Sequence, residues 1–156
     1  MEIERKYLVD REKWNEIRKD HVSRSFLQVY LSLNPAATVR IRLSGEEAFL
    51  TIKGASEGLS RAEFEYRIPY EEAAAMVNLK VGSEIRKHRY DILHDGFLWE
   101  VDEFLGDNEG LILAEVELSS EEQEPARPDW VFAEVSGDER YYNAYLALHP
   151  YKSWSR

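Results

Sequence analysis

From its second residue the chain alternates charged with apolar positions. Glu2-Ile3-Glu4-Arg5-Lys6 is followed by Val39-Arg40-Ile41-Arg42-Leu43, Glu63-Phe64-Glu65, Lys87-His88-Arg89, Glu100-Val101-Asp102 and Glu115-Val116-Glu117. In a β-strand, residues i, i+2 and i+4 share a face. Each charged pair therefore points one way and the apolar residues between point the other. The pattern predicts strands near 1–8, 26–33, 38–44, 48–53, 61–68, 84–93, 97–104 and 111–118. Ser44-Gly45 and Asp95-Gly96 supply turn chemistry between neighbours, which makes the pairing mostly antiparallel. Eight strands are enough to close, or nearly close, a small barrel.

Helical periodicity interrupts the strands. Asp10 is placed to cap a helix with Trp14 and Ile17 on one face. Pro69 precedes Glu71 and Glu72 in the first turn of an Ala-rich helix, with Gly82 after its end. Ser120 and Gln123 have capping-box spacing ahead of Pro125. Asp138 is expected to start the last helix, where Tyr142, Tyr145, Leu146 and Leu148 recur at helical spacing before Pro150. Residues 121–128 read as loop, and no linker divides the chain, so 1–156 is expected to form one domain.

Composition narrows the classes. Hydrophobic residues make up 44% of the 156, which suits a globular core rather than disorder. The net charge of −10 disfavours nonspecific binding to nucleic acid or an anionic membrane. There is no cysteine, hence no thiol chemistry or disulfide, and no zinc-type His spacing. No signal peptide or apolar run of spanning length is visible, so a cytoplasmic location is expected.

The charged faces then present a choice. One strand alone would turn its charges to water. Here the helices need an apolar surface, and the face carrying Ile3, Ile41, Ile52, Phe64, Val101 and Val116 offers it. The other face carries whole strands of cations and whole strands of acids. Rolled inward, it would enclose Glu2, Glu4, Glu63, Glu65, Glu100, Asp102, Glu115 and Glu117 with Lys6, Arg40, Arg42, Lys53, Arg61, Lys87 and Arg89. Burying unpaired charges costs several kcal/mol each, on the order of the penalty for any desolvated ion. Such an interior makes sense with a highly charged ligand: guanidinium and ammonium groups suit phosphate oxygens, and clustered carboxylates suit a hard divalent cation.

Glu2-Ile3-Glu4-Arg5-Lys6 matches the ExExK signature of the CYTH superfamily, the triphosphate tunnel metalloenzymes. The resemblance continues through Arg40/Arg42, Lys53, Arg61-x-Glu63-x-Glu65, Lys87-x-Arg89, Glu100-x-Asp102, Glu115-x-Glu117 and Arg140-Tyr141, nearly the whole chain. It looks most like the small bacterial inorganic triphosphatases. The resemblance implies an α+β fold, an eight-stranded antiparallel β-barrel enclosing a tunnel, with helices packed outside. It implies a small-molecule polyphosphate substrate, Mg²⁺ or Mn²⁺ as cofactor, and a homodimer as an unsurprising assembly.

Carried over residue by residue, Lys6, Arg40, Arg42, Lys53, Arg61, Lys87 and Arg89 would hold phosphates. Glu2, Glu4, Glu115 and Glu117 would bind the metal, with Asp102 a further ligand. Glu63, Glu65 and Glu100 would support them. Tyr30 and Lys87 are the pair for water activation that the similar triphosphatases imply, although the residues alone leave Tyr30 equally open to a core role. Arg140 either reaches the tunnel mouth or makes a surface ion pair. His88 has outward parity. A thiamine or nucleobase substrate would want an aromatic platform; Trp14, Trp99, Trp130 and Trp154 are misplaced for one, though Phe49 and Phe104 share inward parity. Hydrolysis of inorganic triphosphate is the favoured expectation. The alternatives are thiamine or nucleoside triphosphatase, adenylyl cyclase, a non-catalytic polyphosphate binder, and an open sheet with ordinary solvated charges.

Overall fold

The computed structural model describes residues 1–155. The opening alternation forms β1 (Glu2–Val9), after which the Asp10 carboxylate accepts the Lys13 amide and starts α1 (Arg11–Ile17). Next come β2 (Ser23–Ser32), β3 (Ala37–Ser44), β4 (Glu47–Gly54), β5 (Ser60–Arg61), β6 (Glu63–Ile68) and α2 (Tyr70–Met76). The chain continues with β7 (Val81–His94), β8 (Phe97–Phe104), β9 (Ile112–Glu117), β10 (Val131–Glu134) and α3 (Asn143–Leu148). The β7–β8 hairpin turns at Asp95 and Gly96, both at positive φ (50° and 81°), the twist a two-residue hairpin needs.

All pairings are antiparallel, in the order β10-β1-β9-β8-β7-β2-β3-β4-β6. The edges meet through β1. One side of β1 runs along β9; its other side is shared, Glu2 and Ile3 pairing with β5 and Tyr7 and Val9 pairing with β10. Because β5 leads into β6 across Ala62, and β6 pairs with β4, the sheet curls round on itself. The expected 61–68 strand is thus split in two. β10 is an addition that the alternation did not signal, being only four residues long (Val-Phe-Ala-Glu).

Two expectations about helices are corrected. Ser120 and Gln123 start no helix: the Gln123 Oε1 accepts the Ser119 amide at 2.6 Å and closes a turn. Asp138 caps only a 3-10 turn at Glu139–Tyr141, and extended backbone at Tyr142 (φ −76°, ψ 138°) delays α3 to Asn143. Gly82 sits inside β7 at φ +72°, where a Cβ would lie 2.7 Å from the Ala147 carbonyl, so glycine lets α3 lie close on the strand.

The apolar sheet face is outside and the helices cover much of it, but not β6, where Phe64, expected on the covered face, is 55% exposed because no helix packs over that strand. α1 lays Trp14 against Tyr90 and Trp130, with ring centroids 5.2 Å apart in both cases, over Tyr7, Trp99 and Val116. α2 seats Ala73 on Val29, Ile41 and Ala48. α3 behaves differently. Leu146 and Ala147 pack on Ile85, Phe104 and Leu113, each two residues beyond a charged position (Lys87, Asp102, Glu115), so α3 floors one end of the charged interior. The tail clamps α3: the Trp154 indole donates to the His149 carbonyl at 2.8 Å and packs edge-on against Tyr141 and Tyr151. Arg156 lies outside the described residues. Among the described residues, no helix is long and apolar enough to cross a membrane.

Candidate active site

The inward faces of the strands enclose a cavity of about 250 Å³. β1 contributes Glu2, Glu4 and Lys6; β3 contributes Arg40 and Arg42; β4, β5 and β6 contribute Lys53, Arg61, Glu63 and Glu65. Lys87 and Arg89 enter from β7, Glu100 from β8, and Glu115 and Glu117 from β9. Strand parity brings most of them together, Glu2, Glu4 and Lys6, Arg40 and Arg42, Glu63 and Glu65, Lys87 and Arg89, and Glu115 and Glu117 each lying two residues apart on one strand.

Two of the predicted residues stand elsewhere. Asp102 is buried in the wall rather than lining the cavity; its carboxylate receives Arg89 Nε at 2.8 Å and Arg89 Nη2 at 2.9 Å, and meets Lys87 Nζ at 2.7 Å. Its oxygens are engaged by three cationic donors, so it anchors cations instead of presenting a free carboxylate. Arg140 points to the surface and pairs with Asp138 at 2.7 Å, away from the cavity. His88 faces outward, 3.2 Å from the Ser25 hydroxyl. Phe49 and Phe104 do not line the cavity; Phe104 lies under Lys87, 5.4 Å from its Nζ.

One wall is cationic and under strain from its own charge. Burial, then Arg40 and Arg89, push the Arg42 guanidinium down to about 9, even with Asp102 opposing. Its plane stacks on Phe26 at 4.4 Å and its Nε donates to Gln28 Oε1 at 2.9 Å. Arg40 Nη2 donates to the Thr51 hydroxyl at 3.2 Å, but Arg40 Nε is buried with no hydrogen-bond partner among the described residues. Burial lowers Lys87 to about 7; Arg89 and Arg42 add to the fall and Asp102 resists it. By contrast, Arg89 is raised, its burial outweighed by Asp102 and Glu100.

The facing wall is acidic. Burial, then Glu115 and Glu2, push Glu4 up to about 8, and among the described residues no cation pairs with its carboxylate directly. Glu2 is held down by Lys53 at 2.9 Å against its burial, and Glu115 is held well down against burial by Lys6 at 3.3 Å. Glu63 is raised by burial and by sharing a hydrogen bond with Glu2 across Lys53. As the side chains stand, no three carboxylate or imidazole groups among the described residues form a ready-made ion site. The donors nevertheless fit a hard divalent cation: Glu4 offers carboxylate oxygens whose charge is made costly by two neighbouring carboxylates, a repulsion such an ion would relieve.

Several lining or supporting groups escaped the sequence reading. Gln28 and Thr51 share inward parity with residues that were noticed, but neutral side chains attract no attention in an alternating charge pattern. Tyr142 and Asn143 reach the cavity from the far end of the chain. The Tyr142 ring lies 5.3 Å from Lys6 Nζ and 5.9 Å from the Arg61 guanidinium. Tyr30 does line the cavity, yet no hydrogen bond joins it to Lys87 among the described residues; Lys87 Nζ is held by Asn143 Oδ1 at 2.9 Å and by Asp102.

The comparisons with known proteins agree with this geometry. The CYTH domain profile matches residues 1–142. An inorganic triphosphatase of Acetivibrio thermocellus is 42% identical over 154 residues, covering 98% of this chain and 97% of that protein. An inorganic triphosphatase of Nitrosomonas europaea is 36% identical over 150 residues, covering 94% and 97%. A solved crystal structure of an inorganic triphosphatase superposes with a TM-score of 0.65 at 33% identity, over 94% of this chain and 97% of that one. A Pyrococcus horikoshii protein with a TM-score of 0.61 and 18% identity, over 78% and 80% of the two chains, shares the fold alone. With an antiparallel sheet curled around charges of both signs and a profile match over most of its length, the chain belongs to the CYTH domain family.

Proposed function

We infer that this chain hydrolyses inorganic triphosphate to pyrophosphate and phosphate, with Mg²⁺ or Mn²⁺ bound in the cavity. The observation that carries the reading is the pair of opposed walls: crowded guanidiniums with an unpartnered N–H on one side, an unpaired and protonation-prone Glu4 on the other. An oligophosphate answers the first and a divalent cation the second. In the reaction a water oxygen bonds to a terminal phosphorus, and the bridging P–O bond breaks. Its electron pair leaves with pyrophosphate, and the water's protons pass to solvent or to a neighbouring base. Catalysis of this kind is mostly positioning and electrostatic stabilisation, which a rigid cationic wall supplies.

Arg40, Arg42, Arg89 and Lys87 would bind the phosphate oxygens from one side, and Lys6, Lys53 and Arg61 from the other. Glu2, Glu4, Glu115 and Glu117 would hold the metal, which supplies charge neutralisation and polarises the phosphoryl oxygens. Asp102 would keep Arg89 and Lys87 aimed. Burial lowers Lys87, but Asp102 at 2.7 Å and a bound polyanion both favour its ammonium form, and with Tyr30 beside the cavity it is the candidate for orienting the attacking water. Of the rings that face phosphate-binding cations, Tyr142 lines the cavity, where Lys6 and Arg61 already occupy its surroundings, whereas Phe26 and Phe104 lie behind Arg42 and Lys87 and do not line it. That favours a substrate made of phosphate alone over a nucleoside or thiamine ester.

The test is phosphate release from inorganic triphosphate, pyrophosphate, ATP and thiamine triphosphate, with Mg²⁺, with Mn²⁺ and with EDTA, and with Lys87→Ala alongside. Metal-dependent release from inorganic triphosphate that collapses in the variant supports the reading. Silence with folded protein across the panel rejects it and leaves a polyphosphate binder or a cyclase.

A further inference from the structure

Asn143 enters the site from α3, just past the residues that match the family profile. Its Oδ1 accepts two hydrogen bonds at 2.9 Å, one from Lys87 Nζ and one from Gln28 Nε2. Gln28 is fully buried, and its Oε1 accepts from Arg42 Nε at 2.9 Å. On the far side Lys87 meets Asp102 at 2.7 Å, and Asp102 holds Arg89 in a two-pronged pair. Contacts therefore run without a break from Arg42 through Gln28, Asn143, Lys87 and Asp102 to Arg89. Five of the six lie on barrel strands; Asn143 is the link that comes from the C-terminal segment.

We propose that Asn143 is a positioning residue for hydrolysis, fixing through its carbonyl oxygen the direction in which Lys87, and by way of Gln28 Arg42, face the triphosphate. The proposal rests on the triphosphatase reading. An ammonium on a four-carbon stem has three donors and no intrinsic direction. With one donor on Asp102 and one on Asn143, the third is left a narrow range of directions, set before substrate arrives. Such preorganisation lowers the barrier without new contacts to substrate. The same amide orientation serves both donors, because Lys87 and Gln28 each offer N–H and only an oxygen accepts from both. Seating α3 does not need this polar link: Leu146 and Ala147 already bury its apolar side on Ile85, Phe104 and Leu113, and Trp154 clamps its end.

The experiment compares wild type, Asn143→Leu and Asn143→Asp for kcat and KM on inorganic triphosphate with saturating divalent metal, together with melting temperatures. Loss of the acceptor in Asn143→Leu should lower kcat on the order of a hundredfold, with KM little changed because the remaining cations still bind the ground state. Asn143→Asp keeps an oxygen where both donors point and should restore most of kcat. A merely structural role predicts the reverse order, since leucine suits the apolar surroundings of α3 and a buried carboxylate does not; that order overturns the proposal. Should Asn143→Leu not fold, Asn143→Ala replaces it with the same expectation. Active wild type with an undiminished kcat in the leucine or alanine variant rejects the positioning role alone, whereas wild type silent on triphosphate rejects the reading beneath it.

Discussion

Glu4→Gln gives the most direct physical test of the cavity. In the unfolded chain Glu4 ionises at its ordinary 4.5, whereas burial beside Glu115 and Glu2 lifts it to about 8 in the folded state. Between those values the folded protein holds a proton that the unfolded chain has released, so stability falls as pH rises from 4.5 to 8 and is fully retained below 4.5. At about 1.4 kcal/mol per pH unit, the cost at neutral pH is about 3 kcal/mol, rising to about 5 kcal/mol above the folded value. Glutamine keeps the shape of the protonated side chain and removes the ionisation. At neutral pH, without metal, the variant should melt about 6–12 °C above wild type. Urea denaturation across the pH range is the assay. The two proteins should be equally stable at acid pH and diverge steadily toward pH 8. Divalent metal should narrow the gap by stabilising wild type and leaving the variant nearly unmoved. A gap that is absent at neutral pH, or constant across the range, would refute the argument that Glu4 is an uncompensated charge awaiting a cation.

Other outcomes follow from the same geometry. Arg42→Ala should cut kcat/KM for triphosphate on the order of a hundredfold or more, the scale for losing one preorganised charged donor, as read by steady-state phosphate release. Lys87 runs opposite to Glu4: its folded value of about 7 lies below the ordinary 10.5, so the unfolded chain binds the extra proton and stability rises with pH across that window. Lys87→Met should flatten that alkaline limb in denaturation curves. Triphosphate with metal should raise wild-type stability by about 2.7 kcal/mol at a hundred times Kd, seen as a ligand-dependent melting shift. Trp14→Ala, emptying the contact with Tyr90 and Trp130 outside the barrel, should cost about 3–5 kcal/mol in denaturant unfolding while leaving kcat per folded molecule unchanged.

Much of the site was legible because strand parity is local. Once Glu2, Glu4 and Lys6 are on a strand they share a face whatever the rest of the chain does, and the same holds for Arg40 with Arg42, Lys87 with Arg89, and Glu115 with Glu117. The outward parity of Trp99 and His88 was readable for the same reason. Parity also explains the overreach at Asp102: it does point inward, but the adjacent register Arg89↔Asp102 places two cations on it before any ligand can approach.

What parity cannot say is which strands become neighbours at the closing edge and what stands at the ends of the cavity. Only the folded chain brings Ser60 and Arg61 to β1, adds β10 to the same edge, turns Arg140 outward to Asp138, and swings Tyr142 and Asn143 across the floor to Lys6 and Lys87. Apart from the local Arg140–Asp138 pair, these contacts join residues 56 to 136 positions apart, one of them through a two-residue strand, where no periodic signal survives. Alternation is a property of a single strand and is written into the sequence. Closure depends on the twist and curl summed over all the strands, together with the packing of α3, so it is decided only in three dimensions.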